Sequence, residues 1–252
     1  SFALNEISYN EISKYSTVGY GIYAISLMSL SSNNEIHHCS ISNLDANSVI
    51  AMYVDSSSGN DIYNLTIKNI ISRGNNQNSS GIIIKGSNNV VLNKINIENL
   101  NSTHGYSFGI TLNNSEARIY NSEIKDIKGK GNNSGIALKF INSDESNLSD
   151  ITIGKSYPTK FSMNFSGDLD VSEVENPPQD PNGKRNLSKY LEIENKTNAQ
   201  ANIKIYYSDE DIGDDENEED IKLYRYNGEW NEVDSEVNSQ ENYVYAEITE
   251  FS

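Results

Sequence analysis

An aliphatic residue followed five positions later by isoleucine recurs along the first two thirds of the chain, as Ile7/Ile12, Ile36/Ile41, Ile62/Ile67, Leu92/Ile97, Ile119/Ile124 and Leu148/Ile153. Successive anchors are 29, 26, 30, 27 and 29 residues apart. Three residues after each anchor stand Asn10, Cys39, Leu65, Ile95, Ser122 and Ile151, and eight after it Tyr15, Leu44, Ile70, Leu100 and Ile127. Side chains two apart on a strand share a face, so the third and fifth positions are expected to point into one interior. Upstream of most anchors lies a second short strand: Gly21-Ile22, Val49 to Met52, Gly81 to Ile84, Gly109 to Leu112 and Gly135 to Leu138, with Phe161-Ser162-Met163 expected as the final copy.

Short apolar runs broken by Asn, Ser and Gly and repeated at this period cannot each close a core, so the units must stack. The pattern predicts an all-β chain: a right-handed parallel β-helix of about six coils over residues 1–165. Helical repeats fit badly because the apolar runs are three to six residues long and rich in isoleucine. The Leu-x-x-Leu-x-Leu consensus of a leucine-rich repeat is absent.

Seven residues after the anchor stand Asn43, Asn69, Asn99 and Asp126. Stacked amides satisfy one another along a rod, and Asn tolerates a left-handed backbone, so this column is read as an asparagine ladder rather than as a ligand site. Cys39 falls in an inward column beside Leu65 and Ile95, where a buried inert thiol is expected. Carbohydrate lyases and hydrolases of this architecture carry acids and bases on an outward face. On the second strand the outward side chains are expected to be Tyr23, Ala51, Ile83, Thr111 and Ala137, which offer no proton transfer near neutral pH. After the anchor, one outward file reads Glu11, Ser40, Thr66, Asn96, Glu123, Thr152 and the next Ser13, Ser42, Lys68, Glu98, Lys125, Gly154. Alternating charges there suit cross-strand pairs, with Glu98 and Glu123 as the one acid/base alternative. His37 and His38 should face opposite ways, excluding a shared metal unless the chain turns at that point. His104 stands alone in an insertion. The insertions Ser72 to Ser80 and Asn101 to Phe108, with Tyr106 and Phe108, are where a ligand-binding wall would be built.

Charge divides the chain. Residues 1–165 carry 12 Lys plus Arg and 13 Asp plus Glu, net 12 − 13 = −1, whereas residues 166–252 carry 7 and 23, net 7 − 23 = −16. Pro177, Pro178, Pro181 and Gly183 lie among acidic residues, so 166–186 is expected as a linker. Beyond it, clean alternation in Lys189 to Ile193, Ala201 to Tyr207, Ile221 to Tyr226 and Tyr243 to Ile248, with a turn at Asn227-Gly228 before Trp230, predicts a small antiparallel β-sandwich over 187–252. Within it Tyr206-Tyr207-Ser208-Asp209-Glu210-Asp211-Ile212, Asp215-Glu216, Ile221 to Trp230, Asn242-Tyr243-Val244 and Thr249-Glu250-Phe251-Ser252 resemble the PGF-pre-PGF domain. That resemblance implies an archaeal surface protein with parallel β-helix repeats ahead of a sorting tail, and it supplies no catalytic residues. No PGF tail is present in this sequence, and a chain starting Ser-Phe-Ala-Leu is expected to be processed or excised from a longer one.

The overall charge of −17 argues against a nucleic-acid partner, whose phosphates need clustered Lys and Arg. One cysteine excludes a disulfide framework and a Cys-based zinc cluster. No apolar stretch approaches the ~20 residues of a membrane-spanning helix. No cofactor is expected apart from calcium at the run Asp209 to Asp220, which holds nine carboxylates in twelve residues but lacks EF-hand spacing. Asn-x-Ser/Thr sequons at Asn64, Asn78, Asn101, Asn113, Asn132, Asn147, Asn164, Asn186 and Asn195 are candidate glycosylation sites. The expected function is a non-catalytic extracellular or cell-surface role in an envelope layer, a sheath-like assembly or adhesion, partnered by itself, other envelope components or surface glycans. The alternative is a β-helix protein that binds or degrades polysaccharide.

Overall fold

A computed structural model describes residues 6–17, 21–28, 31–131, 134–143, 145–213, 217–249 and 251. The chain is all-β, with two single-turn 3-10 helices among the described residues, at Asp209–Asp211 and Glu218–Asp220. Parallel strands stack into a β-solenoid of about five turns. One sheet holds the anchor strands Glu35–Ala46, Asp61–Ser72, Val90–Ser102, Ala117–Lys128 and Asn147–Ile153, with the short strands Glu6–Ser8 and Glu11–Ser16 against the first of them. The second sheet holds Gly21–Met28, Ser48–Asp55, Ser79–Lys85, Ser107–Asn113 and Gly135–Ile141, in the same parallel order.

The interior follows the repeat. Ile12, Ile41, Ile67, Ile97, Ile124 and Ile153 are paired rung to rung in one file. Ile41, Ile67, Ile97, Ile124 and Ile153 are wholly buried. A second file joins Ile7, Ile36, Ile62, Leu92, Ile119 and Leu148. At ~25 cal/mol per Å2 of apolar surface, full burial of each such side chain contributes about 1.5–3 kcal/mol before entropy is counted.

Three left-handed corners recur along the rod and bend the ribbon around this core, and a fourth, at Asn33, Gly59 and Asn89, precedes three of the anchors. At two residues past the anchor, Tyr9, His38, Asn64, Lys94, Asn121 and Asp150 all have φ between 50° and 56°. Seven past the anchor, Lys14, Asn43, Asn69, Asn99 and Asp126 lie between 56° and 60°. The third corner stacks Ser56, Gly86, Asn114 and Asn142, with the N–H groups of Ser56, Gly86 and Asn114 donated to the carbonyls of Lys85, Asn113 and Ile141 in the next turn. Asn and Gly dominate because the left-handed well costs other residues roughly 1 kcal/mol or more.

In the second sheet the register differs from the expected one. Ala24, Ala51, Gly81, Gly109 and Ala137 form a single file of small residues. It faces inward against the isoleucine file: a Cβ built on Gly109 would stand 2.8 Å from Ile124 Cγ2, and one on Gly81 3.0 Å from Ile97 Cδ1. Ala51 and Ala137 are therefore buried, not outward as the sequence suggested. The outward file is Ser26, Tyr53, Ile83, Thr111 and Lys139, ending at Asp170.

Two further corrections concern the end of the rod. Phe161-Ser162-Met163 lies in Thr159–Ser166, which pairs antiparallel with Asn147–Ile153 in the first sheet instead of adding to the second. A five-residue turn beginning at Gly154, with φ 102°, is too short for a crossover and folds the chain straight back. The segment expected as a linker contains the strand Leu169–Ser172, fully buried and antiparallel to Gly135–Ile141. From there both sheets continue. Glu192–Asn195 extends the second, and Gln200–Tyr206, Tyr243–Ile248 and Ser235–Asn238 extend the first. Ala199, Ala201, Ile203 and Ala246 belong to the same buried cluster as the solenoid isoleucines. The antiparallel C-terminal strands thus close the rod's own core. The hairpin Leu223–Tyr226/Trp230–Val233 turns at Gly228, φ 98°, where Asn227-Gly228 was expected to turn.

Candidate functional site

The outer face of the anchor strands, one residue either side of each anchor, carries the richest chemistry. One file runs Ser8, His37, Tyr63, Asn93, Tyr120, Ser149, and beside it run Glu6, Glu35, Asp61, Val91, Arg118, Asn147. The corner file Tyr9, His38, Asn64, Lys94, Asn121, Asp150 borders both. A shallow cleft of about 400 Å3 on this face is lined by Asp61, Arg118, Tyr120, Asn121, Asn147 and Asp150, among others.

At the N-terminal end of this face the left-handed turn at His38 defeats the strand alternation that would have separated it from His37. Their Nδ1 atoms lie 2.8 Å apart. His37 Nε2 meets Glu6 Oε1 at 2.9 Å, and His38 Nε2 meets Asn64 Nδ2 at 3.2 Å. Tyr63 stacks on His37, with ring centroids 4.8 Å apart, and Tyr9 stacks on His38 at 4.9 Å. Tyr63 donates its hydroxyl to Glu35, and that bond, helped by burial, pushes the phenol up to about 12. It is a donor at any ordinary pH, not a base. Cys39 points inward, 3% exposed, with its thiol donating to the His37 carbonyl.

Several other ionisable groups are engaged in ion pairs. Lys125 bonds Glu123 at 2.8 Å and lies opposite Glu98, so the two acids of the acid/base alternative face one lysine. Asp126 sits between Lys128 and Lys155, each at 2.8 Å. Its burial acts to raise the carboxyl, but the two ammonium groups outweigh that and hold it below the usual range. Asp150 is lowered by Lys160 against the opposing effect of burial. The second sheet, whose outward file was expected to offer no proton transfer near neutral pH, carries Lys139 bonded to both oxygens of Asp170 at 3.0 and 3.1 Å, with Lys196 at 3.5 Å. Asp170 is 3% exposed, and its buried charge is balanced by these two lysines. This contact ties the antiparallel closing strand to the last parallel one.

The asparagine ladder is formed: Asn69 donates to Asn43 at 2.9 Å and Asn99 to Asn69 at 2.8 Å. A serine ladder went unread in the sequence. Ser57, Ser87 and Ser115 each donate a backbone N–H to the hydroxyl of Ser87, Ser115 and Ser143 in the next turn, at 3.0 to 3.3 Å. Its 30- and 28-residue steps were visible, but serine is too common in this chain to stand out. The two insertions stack as well, with Thr103 and Lys130 bonded to Ser72 and Gly105 of the turn below, and Tyr106 stacked on Phe108. His104 bonds only Thr103 among the described contacts.

Of the candidate glycosylation residues, Asn78, Asn147 and Asn164 are exposed, while Asn64, Asn101, Asn113, Asn186 and Asn195 are half-buried. Asn147 and Asn164 bond each other across the antiparallel pair. Asn132 lies outside the described residues. In the acidic run, Asp211 accepts from Ser208 and pairs with Lys189, Asp209 accepts from Asn242, and Glu218 accepts from Tyr207, whose hydroxyl is raised by burial first and Glu218 second. Asp214, Asp215 and Glu216 lie outside the described residues. Between the hairpin and the sheets lies a cavity of about 1260 Å3, lined by Ile203, Ile205, Val244, Leu223 and Val233 with Lys189 and Arg185. No helix among the described residues is long and apolar enough to cross a membrane.

No protein-family model, curated protein or solved structure matches the chain.

Proposed function

We propose that the chain is a non-catalytic structural or adhesive protein of an extracellular surface: a rigid rod for an envelope layer, a sheath-like assembly or adhesion. The observation that carries the reading is how the outward charges are used. Asp45 with Arg73, Asp126 with Lys155, Asp150 with Lys160, and Asp170 with Lys139 lock one stretch of chain to the next. Such pairing suits a rod whose work is shape. The resemblance of 187–252 to the PGF-pre-PGF domain supports an archaeal surface location, and exposed Asn78, Asn147 and Asn164 suit surface glycosylation. Antibody labelling of intact cells that make the protein tests the assignment: surface decoration is expected, and label seen only after lysis overturns it.

Polysaccharide binding is the second reading, favoured by Tyr63 and Tyr120 two rungs apart on one outward file, flanked by Asn93, Asn121 and Asp61. Rungs ~4.8 Å apart would set two aromatic platforms on the order of 10 Å from each other, a span that suits an extended sugar chain. Binding on a glycan array that is lost in Tyr120→Ala supports it, and release of shortened product would move it to the degrading class.

A further inference from the structure

We propose that the cavity of about 1260 Å3 between the hairpin Leu223–Tyr226/Trp230–Val233 and the two sheets binds a long-chain amphiphile with an anionic head group, taken up as a single molecule from solution. The inference is independent of the surface assignment above.

The apolar side chains around this space are incompletely packed. Ile41, Ile67 and Ile97 in the solenoid are wholly buried, whereas Leu191, Ile193, Ile205, Leu223, Val233 and Ile248, which rest against the same core, stay partly exposed. The reason is the hairpin, which forms a two-stranded sheet of its own. It is tied down at both ends, by Leu223 N–H to Ser235 Oγ at 3.2 Å and by Trp230 Nε1–H to the Gln179 carbonyl at 2.6 Å, so it spans the gap without filling it. An apolar cavity of ~150 Å3 can stay dry, but one several times larger holds water against aliphatic walls. An apolar chain that displaces this water gains the burial those side chains lack. The volume exceeds the roughly 300–1,000 Å3 of most small-molecule sites, which suits a long chain.

Charge selects the head group. Residues 166–252 hold seven Lys plus Arg and 23 Asp plus Glu, yet five of those seven cations border the cavity against six of the 23 acids. Two of the cations converge on one residue: Lys189 Nζ lies 3.2 Å from Asp211 Oδ1, and Arg185 donates to the Asp211 carbonyl at 3.2 Å. Both line the cavity, as does the exposed Lys184. In a half-chain that repels anions overall, the cavity border is where a carboxylate, sulfate or phosphate head meets cations, while its chain lies along Ile203, Ile205, Val244 and Leu223.

The single tryptophan, Trp230, borders the cavity and reports on its occupancy. The test titrates the full chain with cis-parinarate, a fluorescent long-chain carboxylate, following energy transfer from Trp230. Bound probe is then displaced with tetradecanoate, hexanoate, tetradecanol or tetradecyltrimethylammonium. One probe per chain is expected, with a raised midpoint of thermal unfolding and displacement by tetradecanoate at least about tenfold more effective than by the other three. Arg185→Met and Lys189→Met should each weaken tetradecanoate by about three- to tenfold and leave tetradecanol unchanged. Ile205→Phe combined with Val233→Phe narrows the cavity and should weaken tetradecanoate and tetradecanol alike by at least about tenfold, with melting still cooperative. Lys68→Met on the rod should change nothing. Arg185→Met, at an exposed position, decides the role of the head group whatever the folding of the narrowed variant. Binding that does not saturate, equal displacement by tetradecanol or by the cationic amphiphile, or full tetradecanoate affinity in Arg185→Met and Lys189→Met overturns the proposal. Undiminished binding in a folded narrowed variant overturns it too, and so does co-sedimentation with phosphatidylglycerol vesicles that the two Met variants abolish, since that places the partner in a bilayer.

Discussion

The side-chain amide of Asn99 donates to Oδ1 of Asn69 at 2.8 Å, and both residues hold the left-handed backbone, at φ 57° and 56°. One residue type thus meets two demands of a stacked corner, the strained dihedral and the hydrogen bond along the rod. The two can be separated. Asn69→Gly keeps the backbone and loses the ladder, for about 1 to 2 kcal/mol. Asn69→Ala loses both and should cost roughly 1 kcal/mol more. Urea unfolding of the two variants measures the difference.

Asp126 ends that ladder with a charge. Its carboxyl is held low by Lys128 and Lys155 in spite of burial, so its contribution to stability is present above the ordinary carboxylate pKa of about 3.9 and is lost as pH falls through the lower folded value. Wild-type stability should therefore decline more steeply below about pH 4 than that of Asp126→Asn. At neutral pH the substitution should cost no more than ~1 kcal/mol, since the lysines are solvent-exposed. Thermal unfolding of both proteins across pH 2 to 7 checks the sign.

Gly109 faces the isoleucine file. A Cβ there would come within 2.4 Å of the Ala137 carbonyl and 2.8 Å of Ile124 Cγ2, neither of which can swing aside, so Gly109→Ala should destabilise by about 1 to 3 kcal/mol. Gly21, whose added Cβ would find its nearest neighbour at 3.5 Å, provides the contrast. Gly21→Ala should be neutral or stabilising by about 0.4 to 1 kcal/mol. Parallel melts of the two variants distinguish close packing from a general intolerance of substitution at glycine.

Thr111 buries a hydroxyl without a hydrogen-bond partner on the outward file next to Lys139. Thr111→Val removes that polar atom with little change of shape, so it should leave stability unchanged or raise it by up to about 1 kcal/mol. A loss larger than that would mean the hydroxyl has a partner in solution.

The sequence made some of this architecture readable and hid the rest for physical reasons. Ile12 through Ile153 announced the core because burial there admits little but a β-branched aliphatic, and Asn43, Asn69 and Asn99 announced a corner because the amide serves twice. The corner at Tyr9, His38, Asn64, Lys94, Asn121 and Asp150 is equally left-handed but carries mixed side chains, so no column marked it. For that reason the meeting of His37 and His38 was invisible. In the second sheet, aligning Gly21 and Gly135 with Gly81 and Gly109 set the first copy three residues and the last copy two residues out of register, since turn lengths vary between copies. Leu169–Ser172 is only four residues long among Gly, Asp and Pro, too short for alternation to show.

All of these relationships depend on register between neighbouring turns, which cross-linking reads directly. Lys68 lies opposite Glu98, both on the outward face, whereas Asn96 is displaced by two residues along the same strand. In a Cys39→Ser background, Lys68→Cys with Glu98→Cys places the two Cα atoms one rung apart, about 4.8 Å, within disulfide reach; Lys68→Cys with Asn96→Cys places them on the order of 8 Å apart, beyond it. Mild oxidation should link the first pair and spare the second, and the reverse result would contradict the stacked solenoid described above.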